Sequence, residues 1–116
     1  MRSFYNKQMG STVRPAPAVS FSVLEDCAQP AARLLKLLAS EQRLLLLCRL
    51  VEGEASVGVL ADHAGLAQSA TSQHLAKMRA EGLVATRREG QTIHYRLDNP
   101  AAVEVLNALQ KIYRTT

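Results

Sequence analysis

The sequence lacks the features of several large protein classes. It has no tryptophan, two cysteines and five aromatic residues in 116. Two cysteines do not build a disulfide framework, so we expect a reducing, cytoplasmic compartment. The longest apolar run, 44–48, is followed at once by Arg49 and is far shorter than the roughly 18 to 20 residues that span a bilayer, so no membrane association is expected. The length allows one small core and excludes a multidomain enzyme.

The net charge of +4 is distributed unevenly along the chain. Residues 1–24 hold three basic residues and no acidic one, and their Gly, Pro and Ser content follows no helical or strand period. This composition predicts a flexible basic tail over residues 1–22, ahead of a folded domain over 23–116. Residues 68–96 hold five basic residues against two acidic ones. That segment is a candidate phosphate-contacting surface, and a merely solvated surface is the alternative.

Capping residues and glycines divide the next part of the chain into four helices. Pro30 suits the first position of a helix because it has no N–H to donate, so a first firm helix is expected from Pro30 to Ala39. Ser40 and Ser56 are good N-caps for a second and a third helix. A fourth helix follows the step Gly65-Leu66-Ala67, and two short helices joined by such a turn predict a helix-turn-helix. The predicted bounds are 41–52, 57–64 and 68–81.

The pattern changes after Gly82. Two strand-like runs, Leu83–Arg88 and Thr92–Leu97, are separated by Glu89-Gly90-Gln91, which predicts a two-stranded hairpin, or wing. Asn99 and Pro100 then begin a last helix to about Tyr113. Its apolar stripe is long for so small a domain. The predicted fold is mainly α with a small β-hairpin (α+β), a winged helix-turn-helix.

The fourth helix has one apolar face and one polar face. Thr71, Leu75 and Met78 share a face and are expected in the core. The other face carries short uncharged side chains that can donate to and accept from base edges, as readout in the DNA major groove requires. The base-reading candidates are Gln68, Ser69, Ser72 and Gln73, with His74 on the flank, where a structural hydrogen bond is the alternative.

Cationic and polar side chains follow on this helix and on the wing. A wing beside a readout helix can straddle phosphates or place an arginine in the minor groove. For each arginine the alternative is solvation with a weak pair to Glu89. The candidates for these backbone contacts are Lys77, Arg79, Arg87, Arg88, Gln91 and Arg96.

Four stretches of the sequence closely resemble the ArsR/SmtB family of bacterial winged-helix repressors. They are Leu34–Leu44, Glu52-Gly53-Glu54, Gly65–Leu75 and the segment from Gly82-Leu83-Val84 through Tyr95. The resemblance implies a homodimer formed through the first and last helices, with the fourth helix in the major groove. It also implies an inducer that lowers affinity for operator DNA. At position 67 the family often has a serine cap, where this chain has alanine.

The metal sites of that family are missing their ligands here. The family's Cys-x-Cys at the start of the third helix is replaced by Ser56-Val57-Gly58, and its Asp-x-His on the last helix by Asp98-Asn99-Pro100. The last helix offers no imidazole and only Glu104 as a carboxylate, too few ligands for a zinc ion. We therefore expect no metal and no cofactor.

The resemblance is strongest to the redox- or sulfide-responsive branch and to nodulation-type repressors. They share Gln-Ser-Ala-x-Ser-Gln-His-Leu and Arg-Arg-x-x-Gln-Thr-Ile-x-Tyr, found here at 68–75 and 87–95. Cys48 occupies the place of that branch's first reactive cysteine, but Arg114 occupies the place of the second. Cys27 is the only replacement, so redox sensing by Cys27 and Cys48 is one hypothesis. A buried, inert Cys48 is the other, although Arg49 or Arg114 could lower its pKa.

These observations lead to one expected function and its alternatives. We expect a homodimeric bacterial repressor that binds an inverted-repeat operator in double-stranded DNA and is released by thiol oxidation or persulfidation. A constitutive or otherwise regulated repressor, or a winged-helix module for protein contacts, are the alternatives. An enzyme is not expected, because the three histidines fall in three separate elements without an acidic partner and no phosphate loop or nucleophile motif is present.

Overall fold

The computed structural model describes residues 21–114, which contain five helices and three short strands. They belong to two compact units, one ending at Arg33 and one beginning at Leu34. Residues 1–20 of the predicted tail lie outside the described residues. No helix within 21–114 is long and apolar enough to cross a membrane. The elements are α1 Phe21–Leu38, α2 Glu41–Val51, β1 Ala55–Ser56, α3 Val57–Ala64, α4 Gln68–Ala80, β2 Val84–Glu89, β3 Thr92–Leu97 and α5 Pro100–Tyr113.

Helix α1 begins nine residues earlier than the sequence predicts. The expected start at Pro30 is wrong: the helix begins at Phe21 and Pro30 lies inside it. A proline within a helix removes the hydrogen bond to the carbonyl four residues earlier, here that of Asp26. Asp26 and Pro30 are both exposed, so water can satisfy that carbonyl. The proline is therefore tolerated without ending the helix.

The predicted caps of the second unit are confirmed. The Ser40 hydroxyl accepts from the backbone N–H of Arg43, and the Ser56 hydroxyl accepts from that of Val59, each at 3.3 Å. The Asn99 side chain accepts from the N–H of Ala102 at 3.0 Å. Each bond satisfies a backbone donor that the first helical turn leaves without a partner. Three of the five helices therefore begin where their cap residue places them.

A left-handed glycine makes the turn between α3 and α4. Gly65 has φ +68°, which is favourable only without a β-carbon. The N–H of Leu66 donates to the carbonyl of Ala61 at 3.0 Å, five residues back, which closes the end of α3 in a Schellman motif. Residues 65–67 thus join α3 to α4 in a tight turn, as in a helix-turn-helix.

One leucine-rich core holds the second unit together. Helices α2 to α5 and the base of the wing all contribute to it. Fully buried side chains are the main source of stability, each contributing about 1.5 to 3 kcal/mol relative to exposure. The largest of them are Leu46, Leu47, Leu60, Leu75, Met78, Leu83 and Leu106.

The wing is part of a three-stranded antiparallel sheet, in the order β1-β3-β2. The predicted two-stranded hairpin is therefore incomplete, because the two-residue strand β1 adds to its edge. Strand β2 runs to Glu89 rather than Arg88, so the loop holds only Gly90 and Gln91. A two-residue strand has no period for a sequence pattern to reveal, so β1 is absent from the prediction.

Strand pairing divides the wing into two faces. Residues directly opposite one another in a sheet project to the same side. Val84, Thr86 and Arg88 lie opposite Leu97, Tyr95 and Ile93, and this face packs onto the core through Val84, Tyr95 and Leu97. We call it the inner face. Ala85, Arg87 and Glu89, with Arg96, His94 and Thr92 opposite them, form the outer face.

The apolar stripe of α5 is only partly covered. Leu106 is buried, but Ile112 and Tyr113 are 66 % and 76 % exposed. On α1, Leu38 is buried while Leu35 is 55 % exposed. The prediction that the apolar stripe of α5 is long for so small a domain is confirmed.

The N-cap residue of α4 is Ala67, which has no side chain that can accept a capping hydrogen bond. Ala67 has φ −65° and ψ 152°, backbone angles at which serine caps a helix, so Ala67→Ser should stabilise the chain by about 1 kcal/mol. Urea unfolding of the purified protein measures this. Ala76→Ser, which adds the same hydroxyl at an exposed position within α4, is the control and should bring no gain; equal gains in both variants would contradict a capping effect.

Candidate nucleic-acid interface

Helix α4 presents to solvent the face that the sequence predicts. Thr71, Leu75 and Met78 are fully buried, and the Thr71 hydroxyl is satisfied by donating to the carbonyl of Ala67 at 3.0 Å. This burial fixes the rotation of the helix. The side chains of the opposite face are exposed, namely Gln68, Ser69, Ser72, Gln73, Ala76, Lys77 and Arg79, while His74 at the flank is half-buried.

The exposed face of α4 changes character along its length. Its first turn has no acidic residue, and its only basic residues lie in the last turn, at Lys77 and Arg79. The first half thus offers amides and hydroxyls without a charge. Such a surface can form directed hydrogen bonds with base edges, while the later cations suit phosphates.

A cleft joins the start of α4 to the wing. Its volume is about 440 Å³. It brings together three of the predicted site residues, Gln68 and Ser72 from α4 and Gln91 from the wing loop. The other residues that line it are Ser56, Val57, Gly58, Thr92, Ile93 and Tyr95, so no charged side chain lies among them. The predicted residues Gln73, Lys77 and Arg79 are outside this cleft.

The two adjacent wing arginines project to opposite faces. Arg88 lies on the inner face, opposite Ile93, which itself lines the cleft with α4. Within the described part of the chain, the exposed Arg88 guanidinium has no ion-pair partner. Arg96 is exposed on the outer face, opposite Ala85.

Arg87, in contrast, is held by carboxylates on the outer face. Its Nε donates to both oxygens of Glu54, at 2.9 and 3.0 Å, and its Nη1 lies 3.5 Å from Oε1 of Glu89. The hydrogen bond and the charge of Glu54 raise the pKa of Arg87 further. From the sequence, only the neighbouring Glu89 is an evident partner. Glu54 is 33 residues away along the chain, and only the unpredicted strand β1 places it near the wing.

The two cysteines are free thiols in this structure, and both are half-buried. The thiol of Cys27 lies 3.7 Å from the carbonyl oxygen of Leu24. Burial raises the pKa of Cys48. The expectation that Arg49 or Arg114 would lower that pKa is therefore wrong, because loss of hydration disfavours the thiolate and no cation among residues 21–114 compensates for it. Among residues 21–114, no cluster of three His, Cys, Asp or Glu residues could hold a metal ion.

Comparison with known proteins identifies the family. Residues 40–86 match the family described as bacterial regulatory protein, arsR family. The nodulation protein NolR of Rhizobium meliloti is 46 % identical over 108 residues, which are 93 % of this chain and 85 % of that protein.

Solved structures agree with this assignment. The crystal structure of the transcriptional repressor BigR from Xylella fastidiosa matches with a TM-score of 0.80 at 41 % identity, covering 84 % of this chain and all of that one. A homodimeric winged helix-turn-helix DNA-binding domain, Mb0332 from Mycobacterium bovis, matches with a TM-score of 0.67 at 28 % identity, covering 84 % of this chain and 89 % of that one. The chain thus belongs to the ArsR family of bacterial regulatory proteins and is a transcriptional regulator with a winged helix-turn-helix fold.

Proposed function

We propose that the chain is a homodimeric repressor that binds an inverted-repeat operator. The observation that carries this proposal is the polar face of α4, which is exposed, uncharged in its first half and continuous with the wing through the cleft at Gln68, Ser72 and Gln91. A carboxylate on that face would repel phosphates, and none is present on α4 between Gln68 and Ala80. The similar protein BigR is described as a transcriptional repressor, which supports repression rather than activation as the role of this chain.

Exposed apolar side chains support the dimer. Leu35 on α1 and Ile112 and Tyr113 on α5 are more than half exposed, and covering them against a second copy would be favourable. The relative Mb0332 is described as homodimeric. A two-fold dimer would place its two α4 helices about one duplex turn, roughly 34 Å, apart. This spacing suits an inverted repeat.

The residues divide into two proposed roles. Gln68, Ser69, Ser72 and Gln73 read base edges, with His74 on the flank of the same surface. The residues that contact phosphates or the minor groove are Lys77, Arg79, Arg88, Gln91 and Arg96. Fluorescence anisotropy with duplexes from upstream of the chain's own gene tests this function. Binding no tighter than to random duplex would instead favour a winged-helix module for protein contacts.

Replacing a base-reading side chain should alter sequence preference. Gln73→Ala should weaken operator binding by about 1–3 kcal/mol and relax preference at one base pair, because a glutamine can pair bidentately with adenine. Anisotropy titrations on the operator, on single-base variants of it and on random duplex measure both effects. Gln42→Ala, an exposed glutamine in the first turn of α2, is the matched control and should bind as the parent does. Equal losses of Gln73→Ala on operator and random duplex would remove Gln73 from the base-reading set.

Removing a phosphate-binding side chain should instead act on every duplex alike. Arg88→Ala should weaken operator and random DNA by a similar factor and reduce the slope of log K against log salt by about 1 for each protomer whose Arg88 binds a phosphate. Titrations at several salt concentrations measure that slope. An unchanged slope would show that Arg88 does not neutralise a phosphate.

The same proposal includes release of the operator by oxidation of Cys27 and Cys48. A polysulfide is the oxidant in this reaction. Each thiol loses a hydrogen, a sulfur–sulfur bond forms between Cys27 and Cys48, and one sulfur atom of the polysulfide is reduced and leaves as hydrogen sulfide. Two free thiols support this step. Burial of Cys48 opposes it, because a raised pKa leaves little of the reactive thiolate at neutral pH. The reaction should accordingly accelerate as the pH rises.

Treatment with sodium tetrasulfide tests the thiol step. The expected product is a chain two hydrogens lighter, with lower operator affinity that dithiothreitol restores. Cys27→Ser and Cys48→Ser should each abolish both changes. Thiols that stay free, with affinity unchanged, would leave a constitutive or differently regulated repressor as the function.

A further inference from the structure

Four side chains form a connected network on the outer face of the wing. Arg87 of β2 and His94 of β3 are paired across the sheet, and His94 is in turn paired with Ser56 of β1. Glu54 precedes Ser56 by two residues, so the Arg87 side chain reaches across the central strand to the far edge of the sheet. Glu89 closes the network, since its Oε1 lies 3.3 Å from His94 Nε2 and 3.5 Å from Arg87 Nη1. We call the set of Glu54, Arg87, Glu89 and His94 the wing clamp.

The wing clamp lies where the sheet narrows from three strands to two. Strand β1 pairs only with Tyr95 and His94. Beyond the row of Arg87 and His94, toward the loop, the wing consists of β2 and β3 alone. That outer part includes Arg88 and Gln91, two of the wing residues proposed to meet DNA. The position of this outer part relative to α4 therefore depends on the side-chain contacts at the last row that has three strands, that of Ser56, His94 and Arg87.

A small tilt at that row is enough to disturb DNA contacts. The three residues from His94 to the loop span about 10 Å at roughly 3.3 Å per residue, so a tilt of about 20° displaces the loop by roughly 3.5 Å. Hydrogen bonds to phosphate or base tolerate only a few tenths of an ångström around about 2.9 Å. By limiting the tilt of the wing, Arg87 can thus affect DNA contacts made by the residues near the loop without touching the DNA itself.

We infer that Arg87 is a positioning residue, which holds the wing at its working angle by binding Glu54 and Glu89, whereas the adjacent Arg88 meets the DNA backbone. This inference rests on the proposed DNA-binding function and reassigns one of the residues predicted to contact DNA. The Nε donor of Arg87 is already directed at Glu54, with the carboxylate of Glu89 beside the same guanidinium. A phosphate that approached the remaining Nη donors would be repelled by both of these carboxylates.

The two roles make opposite predictions for Glu54. If Arg87 positions the wing, Glu54→Gln loosens its hold, because a neutral amide oxygen accepts a weaker hydrogen bond than a carboxylate. Operator binding should then weaken by at least about threefold, although a negative charge has been removed. If Arg87 contacts phosphate, Glu54→Gln frees it to do so, and binding should hold or strengthen. Anisotropy titrations over a salt series separate these outcomes, because a positioning residue leaves the salt slope unchanged.

A charge swap provides the decisive variant. Arg87→Glu should weaken binding, and Glu54→Arg combined with Arg87→Glu should restore part of the affinity, because the pair with position 54 is rebuilt with its charges exchanged while Glu89 now faces a like charge. If Arg87 instead bound a phosphate, the glutamate at position 87 of the double variant could not replace it. Failure to restore binding, in a double variant whose melting temperature matches the parent, would overturn the inference.

Hydrogen–deuterium exchange without DNA keeps this test independent of operator binding. The wing amides of residues 84–97 should exchange faster than the parent's in Glu54→Gln and Arg87→Gln, and more slowly in the charge swap than in Arg87→Glu alone. Arg88→Gln is the matched control, with the same charge change one residue along, and should leave exchange unaltered. Unchanged exchange in all variants would refute the wing clamp, whereas equal binding of the parent to operator and random duplex would refute the proposed function alone.

Discussion

Burial of one face of α4 is the constraint on which the interface depends. Leu75 and Met78 are large apolar side chains with no exposed surface, and Thr71 beside them bonds its hydroxyl to the helix's own backbone. Turning the helix about its axis would expose the two large residues and bury amides and hydroxyls without partners, which is costly on both counts. The direction in which the glutamines and serines point is thus a result of core packing. The stability of the core and the direction of the exposed polar face are thus set by the same thirteen residues.

The parts that followed from sequence are those with a local physical cause. Helix periodicity predicted the faces of α4, and Ser40, Ser56 and Asn99 placed helix starts because a cap acts on an N–H two or three residues away. The resemblance to ArsR/SmtB repressors was confirmed by the family match. Within the site, the exposure of Gln68 and Ser72 followed from the helix pattern, but their proximity to Gln91 required the fold.

The parts that did not follow have causes distant in sequence or too short to make a pattern. Proline most often stands at the start of a helix, which is why a start is predicted at Pro30, yet an exposed helix accepts it internally. Strand β1 holds two residues, too few for any alternation. The pairing of Arg87 with Glu54 depends on that strand and joins residues far apart in sequence, so the sequence did not predict it. The desolvation of Cys48 depends on packing between elements, which the pattern of one helix does not reveal.

The uncapped start of α4 has a consequence for the energetics of binding. Ala67 provides no acceptor, so no side-chain cap satisfies the first backbone N–H groups of α4. A phosphate oxygen at that helix end would supply the missing acceptor and meet the favourable end of the helix dipole. An anion bound there would return the stability that the first turn lacks without a cap. The stability of that turn and the binding of such an anion would then be linked through a residue whose side chain is a single methyl group.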